Sequence, residues 1–347
     1  MTVEAFTFGM HGGLAVPGFV LRNRHGVTMK VVAYGARLTE LHLPNASGHV
    51  ADIVLGFDTL GEYVASDAYM GATCGRYGSR IRDAAFVSGG RLVQLSRNEG
   101  AHHAHGGHEG FDRKVWHAQA DAQANEVLFT HHSPDGDEGY PGALTATTSY
   151  RLTDANVLEI VMRAQSDRTT VINLVHHSYW NLAGHDGGDV RAQQLLVPAD
   201  FYLPVDADLV PTGEVRSVTG TPFDFREAKA IGRDLAAVAT ASGGYDHHWC
   251  VRGAEGELRL CAALRDPTSG RAIELHATAP GVQCYTAGHL RNAVSGKGGA
   301  RYGQYAGIAL ETQRFADAPN LGHFPRADLV PGQSYEQRMQ VRLMSNT

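Results

Sequence analysis

The sequence has little of what would send a chain to a membrane, to nucleic acid or into a disulfide framework. Its 347 residues include only four cysteines, Cys74, Cys250, Cys261 and Cys284, and none forms a C-x-x-C pair. That density excludes a cysteine-stapled scaffold, and free thiols point to a reducing compartment, the cytoplasm. No window holds the roughly 18 consecutive apolar residues that a membrane helix needs. The opening MTVEAFTFGMHGGLAVPGFVL lacks a basic start, a continuous apolar stretch and a small-residue cleavage site, so it does not read as a secretory leader. Like charges never run together, and the net charge of −6 is the wrong sign for a nucleic-acid binder. Catalytic signatures are missing too. There is no G-x-S-x-G and no H-E-x-x-H, and the one Gly-Lys candidate, SGKGGA, lacks the Ser or Thr of a phosphate loop.

What is present is a β pattern. In 334–344, SYEQRMQVRLM, apolar Tyr335, Met339, Val341 and Leu343 alternate with Glu336, Arg338, Gln340 and Arg342. Such period-two spacing predicts a strand with one covered and one wet face. Hairpins are expected over 257–277, turning at DPTSG, and over 146–164, turning at TDAN. Helical periodicity is confined to 227–240 and a shorter stretch near 58–66. Many short strands and 41 glycines at close intervals indicate an all-β fold. We expect a large antiparallel β-sandwich with few short helices, patterned from about residue 28 to 343 and forming one domain over 1–347.

Polar clusters interrupt this pattern. INLVHHSYWNLAG (172–184) reads as a buried strand, yet it carries His176, His177, Ser178 and Asn181. Buried polar groups need partners, because leaving one unpaired costs about 1–3 kcal/mol. CGRYGSRI (74–81) places Arg76 and Arg80 four apart, either solvated in a turn or forming a guanidinium fork for hydroxyls or an anion. HHAHGGHEGF (102–111) offers His103, His105 and Glu109 in an H-x-H-x-x-x-E spacing, which resembles half of a cupin metal motif without its second half. GYDHHW sets Asp246 at a strand start, PGVQCYT puts Gln283 inside a strand, and Glu311 ends an apolar run in GIALETQRFADAPN. A carboxylate entering an apolar segment either titrates abnormally or has partners. A histidine, a glutamate and a ring of hydroxyl-binding groups among aromatics suit acid–base work on a neutral polyol.

Taken together, GRYGSRI, HAHGGHEGFDRKVW, SPDGDEGYPG, HHSYWNLAG, YDHHW, PGVQCYTAG and ALETQRFADAPN resemble the aldose 1-epimerase (galactose mutarotase) family, in order and over nearly the whole chain. The resemblance implies the galactose mutarotase-like supersandwich fold and an isomerase that interconverts the α and β anomers of free aldohexoses such as galactose and glucose. It implies a general acid at His177 and a general base at Glu311. Arg80, His105, Asp246 and Gln283 would hold the sugar, with Ser79 and His176 beside them. His176 and Ser79 both stand where the family usually has Asn, and these are the departures that bear on which sugar fits. Ala104 and Trp180 replace the usual Leu and Phe. Ring opening and reclosure need two proton transfers and no redox step, so neither cofactor nor metal is expected. The expected partner is a small sugar, with no nucleic acid and no membrane, and the chain is expected to be a monomer or weak homodimer. Two other readings stay open on the residues alone: a sugar-binding module without chemistry, and a cupin-like metal enzyme.

Overall fold

Alternation in the sequence becomes alternation in burial. Along Tyr335–Ser345 the residues Tyr335, Gln337, Met339, Val341 and Leu343 are covered while Glu336, Arg338 and Arg342 face water. This strand sits inside a nine-stranded antiparallel sheet, between Val157–Ser166 and Arg271–Ala277. Both expected hairpins lie in the same sheet: Leu144–Leu152 turns into Val157–Ser166, and Arg259–Arg265 into Arg271–Ala277. The second turn is held by the Asp266 carboxylate, which accepts the Ser269 N–H at 2.8 Å, and by Gly270 at φ 73°. Side chains of Leu158, Ile160, Met339, Val341 and Leu275 share one covered face.

The computed structural model describes residues 2–238, 240–290 and 294–345. A six-stranded sheet runs in the order Tyr179–Trp180, Ile308–Gln313, Gly281–Tyr285, Asp246–Val251, Ala199–Leu203 and Arg216–Ser217. A five-stranded meander covers Thr2 to Asp52. One continuous apolar core joins all three sheets. Among the described residues no helix is long and apolar enough to cross a membrane. The helix expected near 58–66 is Leu60–Ala65. It starts at a capping box in which the Thr59 hydroxyl accepts the Glu62 N–H and the Glu62 carboxylate accepts the Thr59 N–H.

Three expectations are corrected. Strands begin at Thr2 rather than near residue 28, because Thr2–His11 and Leu14–Arg22 form a hairpin at the edge of the meander. The stretch 227–240 is not a helix. Lys229–Ala230 pairs with Gln194–Leu195, and the N–H groups of Ile231 and Gly232 donate to the carbonyls of Gln193 and Arg191 at 2.9 Å. Those donors are spent across the chain, leaving one 3-10 turn at Leu235–Ala237; Ala239 lies outside the described residues. The third is 172–184, which holds two short strands instead of one. Val175–His176 pairs with Thr73–Cys74, and Tyr179–Trp180 with Ile308 and Ala309. Its asparagines set the breaks: the Asn173 amide donates to the Gly78 carbonyl, and that of Asn181 to Ala306, both at 2.9 Å.

Candidate active site

In the six-stranded sheet, register decides what faces the core and what faces outward, since neighbours along a strand point to opposite sides. Asp246 lies opposite Tyr285, Gln283 opposite Glu311, and Tyr179 and Tyr285 both opposite Ala309. These five polar or aromatic side chains therefore share one face. Trp249, Val282 and Leu310 take the other face and join the core. Over the polar face lie Arg80, which begins the short pair Arg80–Ile81, and His105, which follows the partner pair His103–Ala104. His177 enters from the break before Tyr179–Trp180, its N–H donating to the Ala72 carbonyl at 2.9 Å. Together they enclose a cavity of about 410 Å³.

At its centre the His177 Nε2 lies 3.5 Å from the Glu311 Oε1, with both side chains almost fully covered. Burial, helped by neighbouring Asp246, holds the Glu311 carboxyl well above the usual range, against the opposing pull of Arg80. Burial, helped by His105, holds the His177 imidazole well below its usual range. Each group resists its charged form, so the pair holds one proton between them.

The Asp246 Oδ1 accepts the Gln283 amide at 2.6 Å, and its Oδ2 lies 4.0 Å from the Arg80 Nη1. Arg80 also forks onto Glu99, donating from Nη2 to Oε1 at 2.9 Å and from Nε to Oε2 at 2.5 Å. Burial works against the Arg80 charge, but Asp246 and Glu99 outweigh it and raise its pKa. Aromatic rings pave the walls. Tyr69 packs on His105 at 4.6 Å between centroids, and Tyr179 on His177 at 5.0 Å.

The ligand atoms of His105, His177 and Glu311 all lie within 4.8 Å of one another, close enough to invite a metal. The hydrogen bonding argues otherwise. The Ser79 N–H donates to His105 Nδ1 at 3.2 Å, so the neutral ring carries its hydrogen on Nε2. Burial, with Arg80 and His103, keeps that ring neutral by lowering its pKa to about 3. His105 thus presents a donor, where a metal would need a lone pair. The H-x-H-x-x-x-E set fares no better: His103 is fixed between the Ser96 carbonyl and the Tyr140 hydroxyl, both at 2.7 Å, and Glu109 pairs with Lys114 at the surface.

Seven of the eight residues singled out from sequence line this cavity: His177, Glu311, Arg80, His105, Asp246, Gln283 and Ser79. The eighth, His176, does not. Its Nδ1 meets the Tyr150 hydroxyl at 3.2 Å and its Nε2 the Ser178 hydroxyl at 2.8 Å, inside the protein. Tyr150 gives its own hydrogen to the Ala36 carbonyl, so His176 donates from Nδ1 and accepts at Nε2, fully partnered. Arg76 is likewise internal, donating to the Ser133 hydroxyl and to the Pro134 and Gly142 carbonyls. Sequence reading missed Glu99, Tyr69 and Tyr285 as lining residues. For Glu99 a signal existed: a carboxylate in a tight N-E-G turn just before the histidine cluster. Tyr69 carried none.

The family pattern described as aldose 1-epimerase matches residues 17–342. The chain belongs to the aldose 1-epimerase family. Among its relatives, the galactose mutarotase of Bos taurus is 40% identical over 306 residues, 88% of each chain. The galactose mutarotase of Homo sapiens is 38% identical over 325 residues, covering 94% of this chain and 93% of its own. A solved aldose epimerase homologue from C. elegans superposes with a TM-score of 0.86 at 30% identity, over 94% of this chain and 98% of that one. Membership makes the protein an isomerase acting on carbohydrate, and the β-sandwich is the family's mutarotase fold.

Proposed function

We propose that this aldose 1-epimerase interconverts the α and β anomers of free aldohexoses such as galactose and glucose, with His177 and Glu311 as the proton-transfer pair. The single observation that carries this reading is their 3.5 Å approach inside a cavity lined by hydroxyl-binding groups. Opening a pyranose requires loss of the proton on the C1 hydroxyl and gain of one at the ring oxygen. A bound hydroxyl donating to the Glu311 carboxylate stabilises its charged form, which hands the shared proton to His177. Glu311 then takes the C1 hydroxyl proton while His177 protonates the ring oxygen. The aldehyde end turns about C1–C2, and the ring closes from the other face with the roles reversed. Each positioned transfer contributes ~10²–10⁴ in rate.

Arg80, Asp246, Gln283 and the Nε2–H of His105 would hold the remaining hydroxyls, with the Ser79 backbone fixing the His105 tautomer. Tyr69, Tyr179 and Tyr285 would cover the C–H patches of the ring. All these groups come from one chain, which supports a functional monomer or weak homodimer acting as one catalytic domain. The four cysteines are unpaired, which supports the cytoplasm. Polarimetry tests the proposal. Freshly dissolved α-D-galactose, α-D-glucose, D-xylose and L-arabinose should relax faster with protein than without. Unchanged relaxation with all four would leave the sugar-binding module as the reading.

A further inference from the structure

The Arg80 guanidinium is the one cation on the floor of the cavity among the described residues, and its geometry is set by a residue outside the sheet. Glu99 lies in the tight turn before the histidine cluster, where its N–H and carbonyl pair with those of His102. Its carboxylate takes two of the five Arg80 hydrogens in a fork, along Nε and Nη2. The Nη1 end is left to reach across the cavity toward Asp246 at 4.0 Å. Arg80 is held between two carboxylates, and Glu99 alone fixes the plane of the fork. The Glu99 side chain keeps 44% of its exposure and lines the cavity itself.

The charges do not balance. Of the acidic groups lining the cavity, Asp67 is paired with Arg113 and burial holds Glu311 toward its neutral form, which leaves Glu99 and Asp246 against Arg80 alone. From these contacts we infer that Glu99 is a positioning and specificity residue for the epimerase reaction: it orients Arg80 toward neutral sugar hydroxyls and bars sugars that carry a negative charge. An Arg80 free of Glu99 would be a ready partner for a carboxylate or phosphate, because the guanidinium fork matches both. With Glu99 in place that fork is occupied, and a hexuronate or sugar phosphate meets two carboxylates, Glu99 and Asp246, that share one guanidinium. Like charges a few ångströms apart near a protein surface repel by enough to change affinity more than tenfold.

This inference rests on the proposed epimerase activity, and the experiment separates the two. Polarimetry with α-D-galactose gives kcat and KM, and D-galacturonate and D-galactose 6-phosphate are titrated as inhibitors of the same reaction. Wild type should relax galactose and resist both anions. Glu99→Gln removes the charge and one acceptor of the fork. It should raise the KM for galactose about fivefold or more, leave kcat within twofold, and strengthen inhibition by both anions at least tenfold. Glu99→Asp keeps the charge and should keep the discrimination against the anions, whatever its effect on KM. Inhibition constants unchanged within twofold in Glu99→Gln, or discrimination lost equally in Glu99→Asp, overturn the role given to Glu99. A wild type that does not relax galactose overturns the epimerase reading instead, and direct titration of the anions by calorimetry on the same variants then still reports on Glu99.

Discussion

On the covered face of the nine-stranded sheet stand Leu158, Ile160, Leu275 and Val341; on the cavity face of the six-stranded sheet stand Asp246, Gln283, Tyr285 and Glu311. Both sheets are antiparallel and both alternate, so backbone geometry does not distinguish them. The difference lies in what each covered face does for the molecule. Apolar burial contributes roughly 25 cal/mol per Å², so the first sheet supplies stability. The second covers groups that resist being covered, and the apolar back of that same sheet, with Trp249, Val282 and Leu310, must offset them. Stability and chemistry are thus assigned to opposite faces, and substitutions on the two should give different signatures.

The largest effect is expected at the pair. Glu311→Gln should lower kcat by ~10²–10⁴ in polarimetry, while thermal unfolding shows no loss of stability, since a buried acid is replaced by a neutral amide. Full activity in this variant would reject Glu311 as the base. On the other sheet, Ile160→Ala should cost about 2–5 kcal/mol in urea unfolding with kcat/KM unchanged in the folded protein. A change in kinetics rather than stability would erase the contrast drawn above.

The pH dependence sharpens it. For activity, the His177–Glu311 pair holds one proton. Rates should fall toward low pH as it gains a second and toward high pH as it loses the first, and a flat profile from pH 5 to 9 would count against the pair. For stability the buried imidazoles act in one direction and outnumber the buried carboxyls Glu311, Asp246 and Asp112, whose raised pKa values act in the other. Burial lowers His176 and His248 to about 3 and His247 to about 4, from an ordinary 6.5. Between those values the unfolded chain binds protons that the folded one refuses. Stability is full above pH 6.5 and falls with acid, by on the order of 1.4 kcal/mol per pH unit for each ring well inside that window. Denaturant midpoints that stay constant from pH 7 to 5 would contradict this. The smallest effect is expected at His176→Asn, which removes bonds to Tyr150 and Ser178 behind the cavity. It should lower stability by about 1 kcal/mol and leave the KM for galactose within twofold.

Much of this was legible in the sequence, for reasons that can be located. Tyr335–Ser345 and the two hairpins were readable because one face is covered and the other wet, and turns such as DPTSG mark their own ends. The candidate site residues showed as polar breaks in an apolar pattern at Asp246, Gln283 and Glu311, and their roles followed only from the resemblance of the ordered motifs to the family. Thr2–His11 was not readable, since it lies at a sheet edge and is exposed along much of its length, which leaves little alternation. The stretch 227–240 misled because its Ala and Leu content favours a helix locally, whereas strand pairing of Lys229 and Ala230 prevails in the fold. The choice of His177 over His176 came from its motif position; its physical reason, the backbone breaks set by Asn173 and Asn181, depends on carbonyls far away in the chain. The N-E-G turn marked Glu99 as a carboxylate near the histidine cluster, but its partner Arg80 is 19 residues away and only the fold brings the two together.

The place of Tyr335–Ser345 between Val157–Ser166 and Arg271–Ala277 has a consequence for biosynthesis. Both flanking strands leave the ribosome before the one that joins them, and until then each presents an open edge able to pair with a foreign chain. The largest sheet therefore cannot close before Tyr335–Ser345 has been made, and nascent chains halted short of residue 335 should be clients of chaperones rather than enzymes.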